Sequence, residues 1–322
     1  MKGPPRTFWG KLERDPVTNQ VVAWHPLVDH CADVAAVCAA LLELPTWRHR
    51  LARHAGRDDL DPVTVARLVV FAALHDLGKL NLGFQAKGRD DLGVPERGHV
   101  VEGFGILHKG SRAALDALGG SVLDTWGAAA CDLFEASIAH HGRPPDPTSI
   151  DFQHAWWTAG GGLDPLAGLR DLRERTGYWA PRAFDAGGPE LPDAPAFTHA
   201  FAGLVMLADW LGSDTRFFPY SEGLTDEPVA RFSTALAAAR KALAVIGIAI
   251  EDARKELTGR DRFNAVSRLV PNAAQRTVAT QPLPETGSIC VLESETGSGK
   301  TEELAANRNE GRWRGPMARA DG

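Results

Sequence analysis

The sequence has no apolar run of about 18 residues, the length a helix needs to cross a bilayer, so no membrane span or membrane partner is expected. Its opening, "MKGPPRTFWGKLERD", carries no apolar signal core, which argues against a secretory leader. Cysteine is scarce: Cys31, Cys38, Cys131 and Cys290 are the only four, and none stands at the short paired spacing of a zinc site. Nor is there a surplus of positive charge. Lys and Arg number 35 against 41 Asp and Glu, a formal net charge of -6. A global basic footprint for nucleic acid is thereby excluded, though a local groove is not. The expected compartment is the cytoplasm. What is present is a globular composition, 44% hydrophobic and 24% charged, in 322 residues, enough for one large core or two ordinary ones.

The chemistry gathers around "VVFAALHDLGKL", residues 69–80. An apolar helical run ends there in His75 and Asp76, an imidazole and a carboxylate suited to a transition ion. Gly78 is expected to let the chain turn out of the helix, and Lys79 to sit where an anion would approach. Upstream, Asp61 and Pro62 read as the N-cap and first position of the helix carrying that pair. A dipeptide alone is as compatible with a capped helix end as with a metal site, so further ligands decide. His30 shares a helical stripe with Val34, Val37 and Leu41 and so points inward, either as a satisfied core residue or toward His75. His25 precedes Pro26 and is expected to be extended, a neighbour of the site or of its substrate. His99 follows Gly98 at a helix start, and His140 and His141 end a helix closed by Gly142 and two prolines. Asp209 lies inside the apolar run "GLVMLADWLG". A buried carboxylate needs a cation or a tight set of hydrogen bonds, and a metal serves both it and the histidines.

Three stretches read as irregular: an arm over residues 1–24 anchored by Phe8 and Trp9, a loop over 81–98, and a long loop-rich insertion over 143–195. In the insertion, Trp156, Trp157, Tyr178 and Trp179 have two readings: they stack on unpaired bases beside arginines, or they pin the segment to the domain.

At this point the blocks "HPLVDHCADVAAV", "HDLGK", "GH", "AHHGRP" and "LADWLGSDTRFFP" occur in an order that resembles the HD nuclease domain of the CRISPR-associated nuclease-helicase of type I interference systems. The resemblance covers roughly residues 20–220. It implies an all-α HD-domain helical bundle with His30, His75, Asp76 and Asp209 around one ion. It also implies His99, His140 and His141 around a second, with Asp76 as bridge and catalytic carboxylate, and Lys79 beside the phosphate. Ser213 and Asp214, in the "LADWLGSD" block, become supporting or substrate-side residues. The implied cofactors are one or two divalent transition ions (Mn, Fe, Ni, Co or Zn). Single-stranded DNA is the implied substrate and the RNA-guided CRISPR surveillance complex the implied partner.

Downstream, an Ala-rich helical stretch over 228–258 leads to "SICVLESETGSGKTEEL", a strand signal followed by a Gly-rich turn opening a helix. Gly297 and Gly299 would cradle phosphates, Lys300 would reach the terminal ones, and Thr301 would hold Mg²⁺. Ser294 stands where the strict pattern wants Gly, and Gln275 resembles the adenine-reading glutamine of such helicases. The remaining residues show no apolar periodicity and no acidic Mg²⁺-holding strand. The expected organisation is a nuclease domain over 1–225, a helical connector over 226–280, and a short truncated P-loop helicase fragment over 281–322. ATP and Mg²⁺ would matter only if that fragment worked, and a separate helicase chain would otherwise supply the motor. Against the nuclease stand two other readings: an HD phosphohydrolase of nucleotides, and a non-catalytic remnant that only binds the surveillance complex.

Overall fold

The protein is seen in a computed structural model that describes residues 5–220, 227–249, 263–264 and 267–280. It divides into two compact units, Met1–Leu243 and Ala244–Gly322.

The first unit is helical around one hairpin. Strands β1 (Trp9–Arg14) and β2 (Val21–Pro26) pair antiparallel. The arm expected over 1–24 is therefore largely ordered. Glycine and three charged residues in β1 hide its alternation from a hydrophobic scan, yet Trp9 and Trp24 bury together with Phe84. The connecting turn is built by Asp15, whose carboxylate accepts from the N–H groups of Val17 (2.9 Å) and Thr18 (2.7 Å).

The helices are α1 (Leu27–Glu43), α2 (Pro45–His54), α3 (Pro62–Leu74), α4 (Leu82–Ala86), α5 (Val100–Lys109), α6 (Arg112–Leu118), α7 (Gly120–Leu123), α8 (Ala130–Ile138), α9 (Pro165–Trp179), α10 (Pro195–Gly212) and α11 (Pro228–Val245). The core lies where α1 packs on α3 and α10, with α8 closing against α10. Helix α1 is buried nearly all round, as is α3, so both behave as central helices. Asp61 caps α3 by accepting from the N–H groups of Val63 and Thr64, and Pro62 occupies its first turn, as the punctuation predicts.

Two stretches expected to be loops contain helix. Residues 81–98 hold α4, opened by Asn81, whose side chain accepts from the Phe84 N–H (2.8 Å). Residues 143–195 hold the fifteen-residue α9, capped by Asp164 with Pro165 at its first position. Its dense charge and a mid-helix glycine mask a short apolar stripe. In the same stretch Trp156, Trp157 and Trp179 are buried and Tyr178 is exposed, so the tryptophans pin the segment to the domain. Among the described residues no helix is long and apolar enough to cross a membrane.

In the second unit the described residues include α12 (Ala273–Thr280). Gln275 opens it in a reciprocal box: its N–H donates to Asn272 Oδ1 (2.8 Å), and its Oε1 accepts from the Asn272 N–H (2.9 Å). The phosphate-loop pattern with Gly297, Gly299, Lys300 and Thr301 lies outside the described residues.

Candidate metal centre

Five segments of chain converge on one buried carboxylate. His30 comes from the first turns of α1 and is fully buried. His75 is the C-cap of α3 and Asp76 follows it, both also fully buried. His99 is the N-cap of α5, His140 and His141 follow the end of α8, and Asp209 comes from the last turn of α10.

The ends of α3 and α8 orient their histidines in the same way. The His75 Nδ1–H donates to the Ala72 carbonyl (2.8 Å), and the His140 Nδ1–H to the Ser137 carbonyl (3.0 Å). Each ring is thereby fixed to the carbonyl of its own helix end, with Nε2 directed into the site.

The two oxygens of Asp76 serve different groups. Oδ2 lies 3.1 Å from His30 Nε2 and 3.1 Å from His75 Nε2. Oδ1 lies 3.4 Å from His99 Nε2 and 3.8 Å from His140 Nε2. Asp209 Oδ1 completes the first group, 3.4 Å from His30 Nε2 and 3.7 Å from His75 Nε2. In the second group, His99 Nε2 and His141 Nε2 stand 3.1 Å apart. The side chains therefore form a quartet (His30, His75, Asp76, Asp209) and a trio (His99, His140, His141), with Asp76 between them. The quartet is buried apart from a partly exposed Asp209, whereas the trio reaches the surface through His141.

Both groups fit a divalent transition ion. Nitrogen and oxygen ligands about 2.1 Å from one ion stand roughly 3 Å apart, close to the separations found here. Moreover, His75 Nε2 and Asp76 Oδ1 are buried without a hydrogen-bond partner, as is His30 Nδ1. His75 Nε2 is near enough to Asp76 for an ion pair but misaligned for a hydrogen bond. Buried polar atoms left without a partner are costly, and a shared cation that takes them as ligands removes the cost.

The electrostatics agree. Burial opposes charge on Asp76, but Lys79 and His75 hold its carboxyl well below the usual range. Asp209 is likewise depressed: burial opposes its charge and the contacts of His30 and His75 prevail. Burial would lower His75, but the two carboxylates raise it to about 9. Burial dominates at His99 and His140 and pushes them down to about 4 and about 3. With no metal the quartet thus holds an imidazolium in the middle of its carboxylates, while His99 and His140 are neutral donors.

The supporting residues differ from expectation in several places. Lys79 is not free to meet an anion, because its Nζ pairs with Asp76 Oδ2 (2.6 Å) and donates to the Gly10 carbonyl (3.1 Å). Ser213 stands behind the quartet, its hydroxyl donating to Asp209 Oδ1 (3.2 Å). Asp214 instead pairs with Arg216 at the surface. His25 is extended in β2 and buried. Its Nε2 pairs with Asp33 Oδ2 (3.0 Å) and its ring stacks on Tyr220, so it braces α1 and does not face a substrate. Gly78 does not turn the chain through a left-handed conformation; it lies inside a 3-10 turn, Leu77–Leu80. Glycine is required there because a Cβ would meet the His99 carbonyl oxygen at 1.8 Å.

Three residues in the site's support escaped the sequence reading. The Asn81 side chain donates to the carbonyls of Gly78 (2.7 Å) and Gly98 (2.9 Å), tying the turn after Asp76 to the residue before His99. Gln85 binds both backbone groups of Trp9 and the Lys79 carbonyl. Lys11 reaches from β1 to the Gly212 carbonyl (2.9 Å) at the end of α10. The local signal for Asn81 is an N-cap before a short apolar run; Lys11 and Gln85 leave none.

Residues 9–218 match the family described as "Cas3, HD domain". No curated protein matches the chain. Among solved structures, one described as the crystal structure of a CRISPR-associated protein has a TM-score of 0.63 at 23% identity, over 94% of this chain and 34% of that chain. Cas3 of T. fusca with ATP has a TM-score of 0.54 at 21% identity, over 94% of this chain and 34% of that one. The Thermus thermophilus cas3 HD domain in the presence of Ni²⁺ has a TM-score of 0.48 at 28% identity, over 69% of this chain and 85% of that one. The first two share the fold, and the present chain spans about a third of their length.

Proposed function

The chain belongs to the Cas3 HD-domain family, and from that premise we propose that it is a metal-dependent nuclease whose substrate is single-stranded DNA. The observation that carries the proposal is the placement of Asp76, one oxygen toward each group of histidines. We assign the quartet and the trio as holders of one divalent transition ion each. When bound, such ions activate water and offset the negative charge that builds on a phosphate during hydrolysis. The chain's residues do the rest. The Nδ1–H bonds of His75 and His140 keep their Nε2 atoms aimed inward. Ser213 steadies Asp209, and Asn81 fixes the distance between the Asp76 turn and His99. The quartet is buried except for a partly exposed Asp209, and the exposed side at His141 is where a strand would enter and reach toward Asp209. A single strand suits that entrance because its phosphate can approach without a stacked partner strand.

As partners, the same reading proposes the CRISPR RNA-guided surveillance complex and a helicase motor that delivers the strand.

The test is the rate of hydrolysis, with Mn²⁺ or Ni²⁺ added, of single-stranded DNA, duplex DNA and nucleoside phosphates by the purified chain. Single-stranded DNA should be cut much faster than duplex, with negligible turnover of nucleotides. Faster hydrolysis of nucleoside phosphates or cyclic nucleotides would replace this reading with a nucleotide phosphohydrolase.

A further inference from the structure

We propose that Lys11 is a phosphate-contacting residue of this centre, its ammonium holding a non-bridging oxygen of the strand being cut. The inference deepens the nuclease reading and rests on it.

Strand β1 carries a bulge at the centre. Trp9 pairs with Pro26 and Lys11 with His25, leaving Gly10 as the extra residue. A Cβ on Gly10 would lie 3.0 Å from His30 Cβ and 3.1 Å from Leu27 Cα, so the strand rests directly on the first turn of α1 at the ligand His30. The carbonyl freed by the bulge accepts the Lys79 ammonium (3.1 Å). Bulges commonly re-aim the next side chain, and here that side chain is Lys11. Its Nζ reaches the Gly212 carbonyl (2.9 Å), three residues beyond Asp209.

Two lysines thus flank the same carboxylates, but they are used differently. Lys79 is paired with Asp76. Lys11 has no carboxylate in ion-pair range among the described residues, although the fields of Asp33, Asp209 and Asp76 all reach it. Each of those acids is already engaged: Asp33 with His25 and Arg231, Asp209 with Ser213, and Asp76 with Lys79. Among the described residues only a neutral carbonyl holds the Lys11 ammonium, which leaves two of its three N–H donors available there. Burial lowers it to about 8, the signature of a cation held out of water and short of a counter-ion. A phosphodiester entering beside Asp209 supplies that negative charge.

Substitution by Gln and by Arg separates charge from bracing. Gln keeps a polar N–H end but is neutral, whereas Arg keeps the charge. For wild type, Lys11→Gln and Lys11→Arg we would measure bound metal, kcat and KM on single-stranded DNA, and the Kd of inorganic phosphate for the metal-loaded protein. Lys11→Gln should keep its metal, lose about tenfold in kcat/KM, and bind phosphate about tenfold more weakly. Lys11→Arg should retain most of both. Unchanged kcat/KM and phosphate affinity in Lys11→Gln would overturn the proposal. So would loss of metal or of folding in that variant, which would make Lys11 a brace between β1 and α10. If wild type failed to cut DNA while phosphate binding still depended on Lys11, the nuclease reading would fall and the anion contact would stand.

Discussion

At Asp76 two carboxylate oxygens face two sets of imidazoles that differ in protonation, and this difference can be measured. His75, raised to about 9 by the carboxylates around it, carries a proton at neutral pH when no metal is present. Because its folded value lies above the ordinary 6.5, its pairing contributes stability that is complete below about pH 6.5. That contribution fades as pH rises through about 9. A metal must displace the same proton, so quartet affinity should rise with pH up to about 9. His99 and His140, held down to about 4 and about 3, are already neutral and release nothing above pH 5 or so. Calorimetric titration with Mn²⁺ at pH 7.5, in two buffers of different ionisation enthalpy, should show about one proton released in the quartet's binding step. A buffer-independent heat would show that His75 is not the protonated partner of the two acids.

The elements that matter most are short ones between the long helices. The 3-10 turn Leu77–Leu80 brings Gly78 under the His99 carbonyl, and Asn81 fastens the two segments. Gly78→Ala would force the backbone at His99 outward, since 1.8 Å admits no carbon atom. The trio should then bind its ion poorly while the quartet keeps its own, which elemental analysis of the purified variant would reveal as loss of one ion. Asn81→Ala takes the side-chain donor from the Gly98 carbonyl and the cap from the Phe84 N–H, and should cost about 1–3 kcal/mol, read from denaturant unfolding of the metal-free protein. If both variants matched wild type, the turn would be a bystander. These elements were also the hardest to read from sequence. A five-residue helix and a 3-10 turn offer too few positions for periodicity, and the hairpin alternates Trp9 with glycine and charge. The candidate ligands were far easier: His75 ends an apolar helix with an explicit cap, His140 and His141 precede an explicit Gly and Pro stop, and Asp209 is a lone carboxylate in an apolar run.

Across the whole first unit, α11 is fastened to α1. Arg231 bonds Asp29 (3.2 Å) and also Asp33, and Arg240 pairs with Glu43 at the surface. Asp29 and Asp33 are buried and flank His30 by one and three positions on α1, so withdrawing the guanidinium disturbs the helix that presents this candidate ligand. Arg231→Ala should destabilise the protein by about 3 kcal/mol, seen as a lower melting temperature in calorimetry, whereas Arg240→Ala should change little. Equal effects would show that the buried pair is not special. This fastening was invisible in the sequence. Arg231 lies in an Ala-rich helix about 200 residues from Asp29, and nothing local marks an arginine as buried. The bundle and the two histidine groups were legible because apolar stripes and helix stops are local signals. Lys11, Asn81 and Gln85 were not, since their roles depend on which distant backbone group each one meets.

If Asp76 joins two ion sites into one nuclease centre, activity must depend both on added metal and on that carboxylate, and metal add-back measures both. Wild type and Asp76→Ala would be stripped with chelator and then titrated with Mn²⁺, with cleavage of single-stranded DNA measured at each step. Wild type should regain activity with the metal, and Asp76→Ala should stay inactive at every concentration because both groups lose their shared carboxylate. Restoration of wild-type activity in Asp76→Ala, or cleavage by the stripped wild type with no metal added, would show that Asp76 does not join two ion sites into the cutting centre.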